Sequence, residues 1–186
     1  RAARLLAGAS RPVIVAGGGT ILSEASPELV ALAEHLGIPV VTTWMGKGSI
    51  PEDHPLNGWS IGDTASTSGN TLAANADVVL SVGCRFVDWS ASSYRAGVSF
   101  TIPPSALIQI DLEPREIGKN YPVTVGLVAD AKAALADLLA AVGDITGPRD
   151  WRNGSYFGEI VRLKAEWDAI CAVKRESDQV PMTQSR

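Results

Sequence analysis

"RPVIVAGGGTILSEASPELVALAEHLGIPVV", residues 11–41, decides the fold of this chain. Pro12–Ala16 is an apolar run with no polar interruption, the pattern of a strand buried on both faces, and such strands belong to parallel sheets. Gly17, Gly18 and Gly19 follow. Ser26 then reads as a helix N-cap and Pro27 as the first helical residue. Leu29, Leu32, Ala33 and Leu36 share one helical face, and Gly37 terminates it. Pro39–Thr42 is the next strand. Strand, glycine loop, helix and strand make one βαβ unit, whose crossover is right-handed.

The alternation extends outward in both directions. Arg1–Ala9 reads as a short helix with Leu5 and Leu6 on its apolar side. Residues 44–59, "WMGKGSIPEDHPLNGW", read as a loop. A helix weakened by Gly69 is expected over Ala65–Ala74, then strands at Asp77–Gly83, at Ala106–Glu113 and within Val123–Val128. Asp130 reads as the N-cap of a helix with Ala131, Leu135, Leu138, Leu139 and Val142 at three- and four-residue steps. Tyr156, Ile160, Leu163, Trp167 and Ile170 repeat at helical spacing, which predicts a last helix to about Arg175. The expected fold is α/β: a doubly wound, mostly parallel, Rossmann-like sheet of about six strands with helices on both faces. Residues 1–147 are expected to form the main domain, and 148–186 a C-terminal helix and linker.

A domain of 186 residues buries enough surface to fold without staples. The net charge of −4, with Lys and Arg scattered, excludes a nucleic-acid partner and points to small-molecule ligands. Cys84 and Cys171 are too far apart for a zinc knuckle or a redox pair and suit a reducing, cytoplasmic setting. No apolar run approaches the ~20 residues of a membrane span. The chain begins without Met and stops on "VPMTQSR", as a piece of something longer would.

In an open parallel sheet, ligands sit beyond the carboxyl ends of the strands, where strand order reverses. The chain's unusual residues follow its strands: Gly17 to Gly19 after the first, Thr43, Trp44, Met45 and Gly46 after the second, and Gly83, Cys84, Arg85 and Phe86 after the third. Asp111 ends the fourth, and Asp130 follows the fifth. Glycines admit close backbone approach to phosphate oxygens, and a following helix adds its positive end. Arg85 can fork onto a diphosphate. Asp111 could accept from ribose hydroxyls, and Trp44, Met45 or Phe86 could lie against a ring. Each also has a plainer reading: a glycine turn, a capping Asp130, core aromatics, an Arg85–Asp88 surface pair, solvated histidines, and Cys84 as a small buried apolar residue.

The dinucleotide fingerprint fails, because Leu22 stands where G-x-G-x-x-G needs its third glycine, and Thr42 and Thr43 end the second strand in place of an acid. A Ser-His-Asp triad is equally hard to assemble from two histidines and no G-x-S-x-G elbow.

"RPVIVAGGG" (11–19), "GIPVVTTWMGKGSIPEDHPLNG" (37–58), "NADVVLSVGCRF" (75–86) and "IQIDLEPREIGKNYPVTVGLVADA" (108–131), in that order, resemble the central domain of thiamine-diphosphate enzymes of the acetolactate-synthase type. The resemblance runs from about Arg1 to Val142. It implies a parent with two further domains, one binding the pyrimidine and one the diphosphate of thiamine diphosphate, the latter through magnesium. It also implies a homo-oligomer, dimer or tetramer. The catalytic glutamate would lie upstream and the G-D-G…N metal motif downstream, since neither "GDT" at Gly62 nor "GDI" at Gly143 qualifies. This chain is therefore expected not to catalyse alone. The implied parent reaction is carbon–carbon cleavage and transfer on a 2-keto acid or related carbonyl compound.

Relatives of this type hold FAD, an adenosine diphosphate or nothing in the central domain. Carried over by position, the flavin contacts fall on Gly17, Gly18, Gly19, Thr43, Trp44, Met45, His54, Gly83, Arg85, Phe86, Asp111, Leu112 and Asp130. Departures weigh against FAD and leave ADP or an empty cleft: Val87, Asp88 and Trp89 stand where the acetolactate-synthase pattern has two acids and an arginine, and Lys47 replaces an apolar residue. "HPLNGWSIGDTAS" (54–66) is similar also to the inositol-breakdown branch, whose enzymes open a cyclic dione, and a decarboxylase of the same family is a further alternative. From another class, an NAD-consuming deacylase of the sirtuin kind shares a glycine-rich first loop. That class needs a catalytic His and a four-Cys zinc module, which two distant cysteines cannot supply.

Overall fold

The computed structural model describes residues 1–182; the last of the polar tail, 183–186, lies outside the described residues. Six strands form one all-parallel sheet: β1 (Pro12–Ala16), β2 (Val40–Thr42), β3 (Asn57–Ser60), β4 (Val78–Val82), β5 (Ala106–Asp111) and β6 (Val125–Val128), in the order β3-β2-β1-β4-β5-β6. The chain winds outward from β1 to β3, returns, and winds the other way from β4 to β6. Strand order therefore reverses between β1 and β4, which pair in register from Pro12–Val78 to Ala16–Val82.

The apolar run that opened the reading is buried along its whole length because it is the middle of this sheet. Val13, Ile14, Val15 and Ala16 have no exposed surface. Helices α1 (Ala2–Gly8), α3 (Ser26–Leu36) and α5 (Ala131–Gly143) pack together over one face, and α4 (Thr67–Ala74) with α6 (Ser155–Arg175) over the other. Between β1 and α3 runs a further one-turn helix, α2 (Gly18–Leu22). Helix α3 starts one residue earlier than its sequence signals suggest: Ala25 is the N-cap, and Ser26 and Pro27 are its first helical residues. Gly37 ends it at φ 69°, and Trp151 occupies the space a Cβ there would need.

β3 lies in the stretch that reads as a loop. It is polar and short, and Trp59 at φ 74° shifts its register with β2. Close packing admits it to the sheet: a Cβ on Gly58 would meet Leu72 and Val41 at 2.9 Å, and one on Gly69 of α4 would meet the Ser60 carbonyl oxygen at 2.1 Å. Gly69 thus lets α4 approach β3, and Ser66 caps that helix by accepting from the Gly69 N–H.

The start of α6 is clamped to the core. The Arg11 guanidinium makes a two-pronged ion pair with Glu159 (2.6 and 2.7 Å), and the Tyr156 hydroxyl donates to the Pro12 carbonyl at 3.0 Å. Only Ile160 and Leu163 of this helix are buried, and its apolar spacing continues past them onto exposed Ile170 and Val173. Among the described residues no helix is long and apolar enough to cross a membrane.

Candidate functional site

Each strand delivers its last residues to the carboxyl edge of the sheet, and there a crevice of about 900 Å³ opens over the β1–β4 switch. Gly17, Gly18 and Gly19 enter it from β1, Thr43, Trp44 and Met45 from β2, Gly83, Arg85 and Phe86 from β4, and Asp111 and Leu112 from β5. Residues as far apart in sequence as Gly18, Arg85 and Asp111 thus converge on one space.

The glycines also do a job that their spacing does not announce. Gly17 N–H donates to the Val82 carbonyl (2.9 Å) and Gly19 N–H to the Gly83 carbonyl (3.1 Å), so two of the three amides are already bonded within the protein. What the absent side chains permit is backbone contact between the loops after β1 and β4. Gly46 repeats the device after β2, where a Cβ would stand 2.0 Å from the Ala16 carbonyl oxygen. The loops interlock at the switch point, and the crevice is the space left above them.

Its floor is Cys84, Phe86 and Ile110, each at most 3% exposed. Phe86 adopts a left-handed backbone (φ 49°) that turns its ring inward, edge-on to Phe100 (5.2 Å) and Tyr121 (5.3 Å). Asn120 holds this turn by donating to the carbonyls of Arg85 and Phe86. Burial pushes the Cys84 thiol up to about 11, so it is neutral and unreactive near pH 7. Arg85 is exposed and, among the described residues, is the only basic side chain lining the crevice. Asp111 accepts from the Glu113 N–H at 3.0 Å, and both carboxylates face the same space.

The walls are apolar and open to solvent: Trp44 is 71% exposed, Met45 76% and Leu112 72%. Ser23, Ser90, Glu113, Ala129 and Ala131 also line the crevice and were not singled out by the sequence; Leu22, Val87 and Trp89, noted there only as departures from motifs, line it as well. Val87, Trp89 and Ser90 belong to the segment after β4, whose path depends on left-handed turns at Ser92, Ser93 and Tyr94 that no periodicity announces.

Two of the residues carried over by position stand apart. His54 lies before β3, at the amino edge of the sheet. Its Nδ1 accepts from the Leu56 N–H (3.1 Å), which leaves Nε2 as the donor toward Glu34 (3.3 Å). Asp130 caps α5 beside the crevice, its neighbours Ala129 and Ala131 forming the wall. The Ala133 N–H and then the Ser23 hydroxyl hold its carboxyl below the usual range.

A family model described as the central domain of thiamine pyrophosphate enzymes matches residues 1–138. The chain is 46% identical over 142 residues to a probable acetolactate synthase large subunit of Methanocaldococcus jannaschii, covering 76% of this chain and 23% of that protein. It is 37% identical over 180 residues to a sulfoacetaldehyde acetyltransferase of Rhodobacter capsulatus, covering 96% of this chain and 30% of that one. It is 39% identical over 194 aligned positions to a glyoxylate carboligase of Escherichia coli O157:H7, covering 100% of this chain and 30% of that one. The chain therefore spans less than a third of the length of these relatives.

Proposed function

The chain belongs to the thiamine pyrophosphate enzyme family as its central domain, and from that premise we propose that it binds an adenine nucleotide, ADP or FAD, in the switch-point crevice of a larger enzyme. The parent is a lyase or transferase acting on 2-keto acids or related carbonyl compounds in the cytoplasm, and it works as a homo-oligomer. Residues 148–182 form the lead from this domain toward the parent's diphosphate-binding domain.

The single observation that carries the nucleotide reading is the convergence of Arg85 and Asp111 on one apolar-walled crevice. The residues fit such a ligand. Arg85 would take the diphosphate, in a forked charge-assisted contact. Asp111 would accept from the ribose hydroxyls, and Trp44, Met45 and Leu112 would cover the ring. The interlocked glycines shape the base of the site without lending it a row of free amides, so binding should depend on Arg85 and on apolar contact.

Thiamine diphosphate and magnesium are a different matter. Among the described residues no group of three or more His, Cys, Asp or Glu is placed to hold a metal ion. Neither Gly62 nor Gly143 opens a G-D-G…N motif, and we assign thiamine diphosphate and magnesium to the parent's other domains.

Thermal-shift titration with FAD, ADP, CoA and NAD tests the reading, since a ligand selective for the folded state raises stability by about 2.7 kcal/mol at one hundred times its Kd. A rise with ADP or FAD and none with NAD supports it. No response to any of the four overturns the nucleotide assignment.

A further inference from the structure

The chain contains two Asn-Gly pairs, Asn57–Gly58 and Asn153–Gly154. Such a pair carries its own reaction, because the glycine's main-chain nitrogen can attack the Asn Cγ and no Cβ on the glycine obstructs the approach. The fold treats the two pairs oppositely. Asn57 opens β3 and is 1% exposed. Its side-chain Nδ2 donates to the Pro51 carbonyl at 3.0 Å and its Oδ1 accepts from the Trp59 N–H at 2.8 Å, so both ends of the amide are fixed. Gly58 is wedged between Leu72 and Val41. Turning the Asn57 Cγ onto the Gly58 nitrogen would break both bonds in a place closed to water.

Asn153 and Gly154 are exposed, in the turn between α5 and α6. The Asn153 Nδ2 donates to the Asp150 carboxylate oxygens at 3.0 and 3.3 Å, a surface contact that water can replace. The Gly154 N–H donates to the Trp151 carbonyl at 3.0 Å, and this bond restrains ring closure. An exposed turn opens far more readily than a buried strand does. Gly154 is also the N-cap of α6, which has no side-chain cap, so a change at position 153 falls at the start of that helix.

We propose that Asn153 is a site of self-modification in the folded protein. The Gly154 nitrogen bonds to the Asn153 Cγ and loses its proton, the Cγ–Nδ2 bond breaks, and the amide leaves as ammonia. Water then opens the resulting succinimide at either carbonyl, which gives aspartate or isoaspartate. Either product adds one negative charge to a net charge of −4 and sets a carboxylate against Asp150 where an amide had donated to it. Isoaspartate also puts an extra methylene into the main chain just before the α6 N-cap. The turn is thereby freed from Asp150, while the Arg11–Glu159 pair keeps the body of α6 on the core.

The test is to age the folded protein in warm, mildly alkaline buffer beside the urea-unfolded chain, and to follow both by ion exchange, peptide mapping with mass spectrometry and isoaspartate detection. Asn153 is expected to convert in the folded protein within about tenfold of its rate in urea, since opening one surface hydrogen bond costs little. Asn57 should stay an amide while the fold holds and convert only in urea. Asn153→Gln, which keeps a side-chain amide, should abolish the new acidic species. An Asn153 that stays intact in the folded protein while the unfolded chain converts would overturn the proposal. So would conversion of Asn57 in step with Asn153, which would place the reaction in the unfolded state, or persistence of the acidic species in Asn153→Gln.

Discussion

Gly17 and Gly83 lie backbone against backbone across the switch between β1 and β4. A Cβ on Gly17 would stand 2.1 Å from the Gly83 carbonyl oxygen, and one on Gly83 would stand 2.5 Å from the Gly19 Cα. The two loops that make the crevice are thus held together by the absence of side chains, and the backbone there has nowhere to shift.

Gly17→Ala and Gly83→Ala are each expected to destabilise the fold by about 2–4 kcal/mol, as overpacked positions do. Gly83 adds a left-handed backbone, φ 56°. Gly18→Ala should cost less, because its nearest neighbour is the Met45 Cβ at 3.0 Å, a contact that a shift of a few tenths of an ångström relieves, whereas Gly17 and Gly83 meet backbone at 2.1 and 2.5 Å. Urea melts of the three variants check the ranking, and a Gly18 variant as unstable as the other two would contradict it.

Arg85→Ala should leave thermal stability unchanged, since the side chain is exposed and makes no ion pair among the described residues. The same substitution should weaken ADP by roughly 10- to 150-fold, the loss expected of a charged hydrogen-bonding partner worth about 1.5–3 kcal/mol. Calorimetry on the two proteins measures it, and adenosine serves as the uncharged control.

Thiol chemistry should separate the two cysteines. Cys84 is buried and Cys171 is partly accessible, so a disulfide reagent at pH 8 should modify Cys171 first and reach Cys84 only on unfolding. The raised Cys84 value also sets a sign. Folding favours its protonated form, so this contribution is complete below its ordinary value near 9 and is lost as pH rises toward about 11. A Cys84→Ala variant should lose less stability than the wild type across that alkaline window.

The Arg11–Glu159 pair should govern the acid side. The hydrogen bond from Arg11 is the main cause holding the Glu159 carboxyl below its usual range. Its stabilisation is therefore present above about pH 4.5 and lost as pH falls through the lowered folded value. Glu159→Gln should cost about 1 kcal/mol at pH 7, with the difference from wild type shrinking below pH 4, as read from denaturation midpoints across pH.

The strands β1, β2, β4, β5 and β6 and the long helices were legible in the sequence because each carries its own signal. A strand covered on both faces must be apolar throughout, and a helix covering a sheet must repeat every three to four residues. The same logic placed Gly18, Arg85 and Asp111 at strand ends and so on one rim. β3 escaped because "NGWS" has neither pattern; it enters the sheet through Gly58 and Gly69, whose contacts come from Val41, Leu72 and Ser60. His54 was carried onto the site by position, yet the existence of β3 puts it at the opposite edge.

Periodicity and turn chemistry by themselves determined which segments are buried, that the sheet is parallel, and where loops gather, because those properties arise from neighbours in the chain. Only the tertiary structure decided what the loops do once gathered. The Gly17 and Gly19 amides bond to β4, Phe86 turns into the floor, and Trp89 reaches the crevice rim, because each depends on contacts between residues remote in sequence that no local pattern encodes.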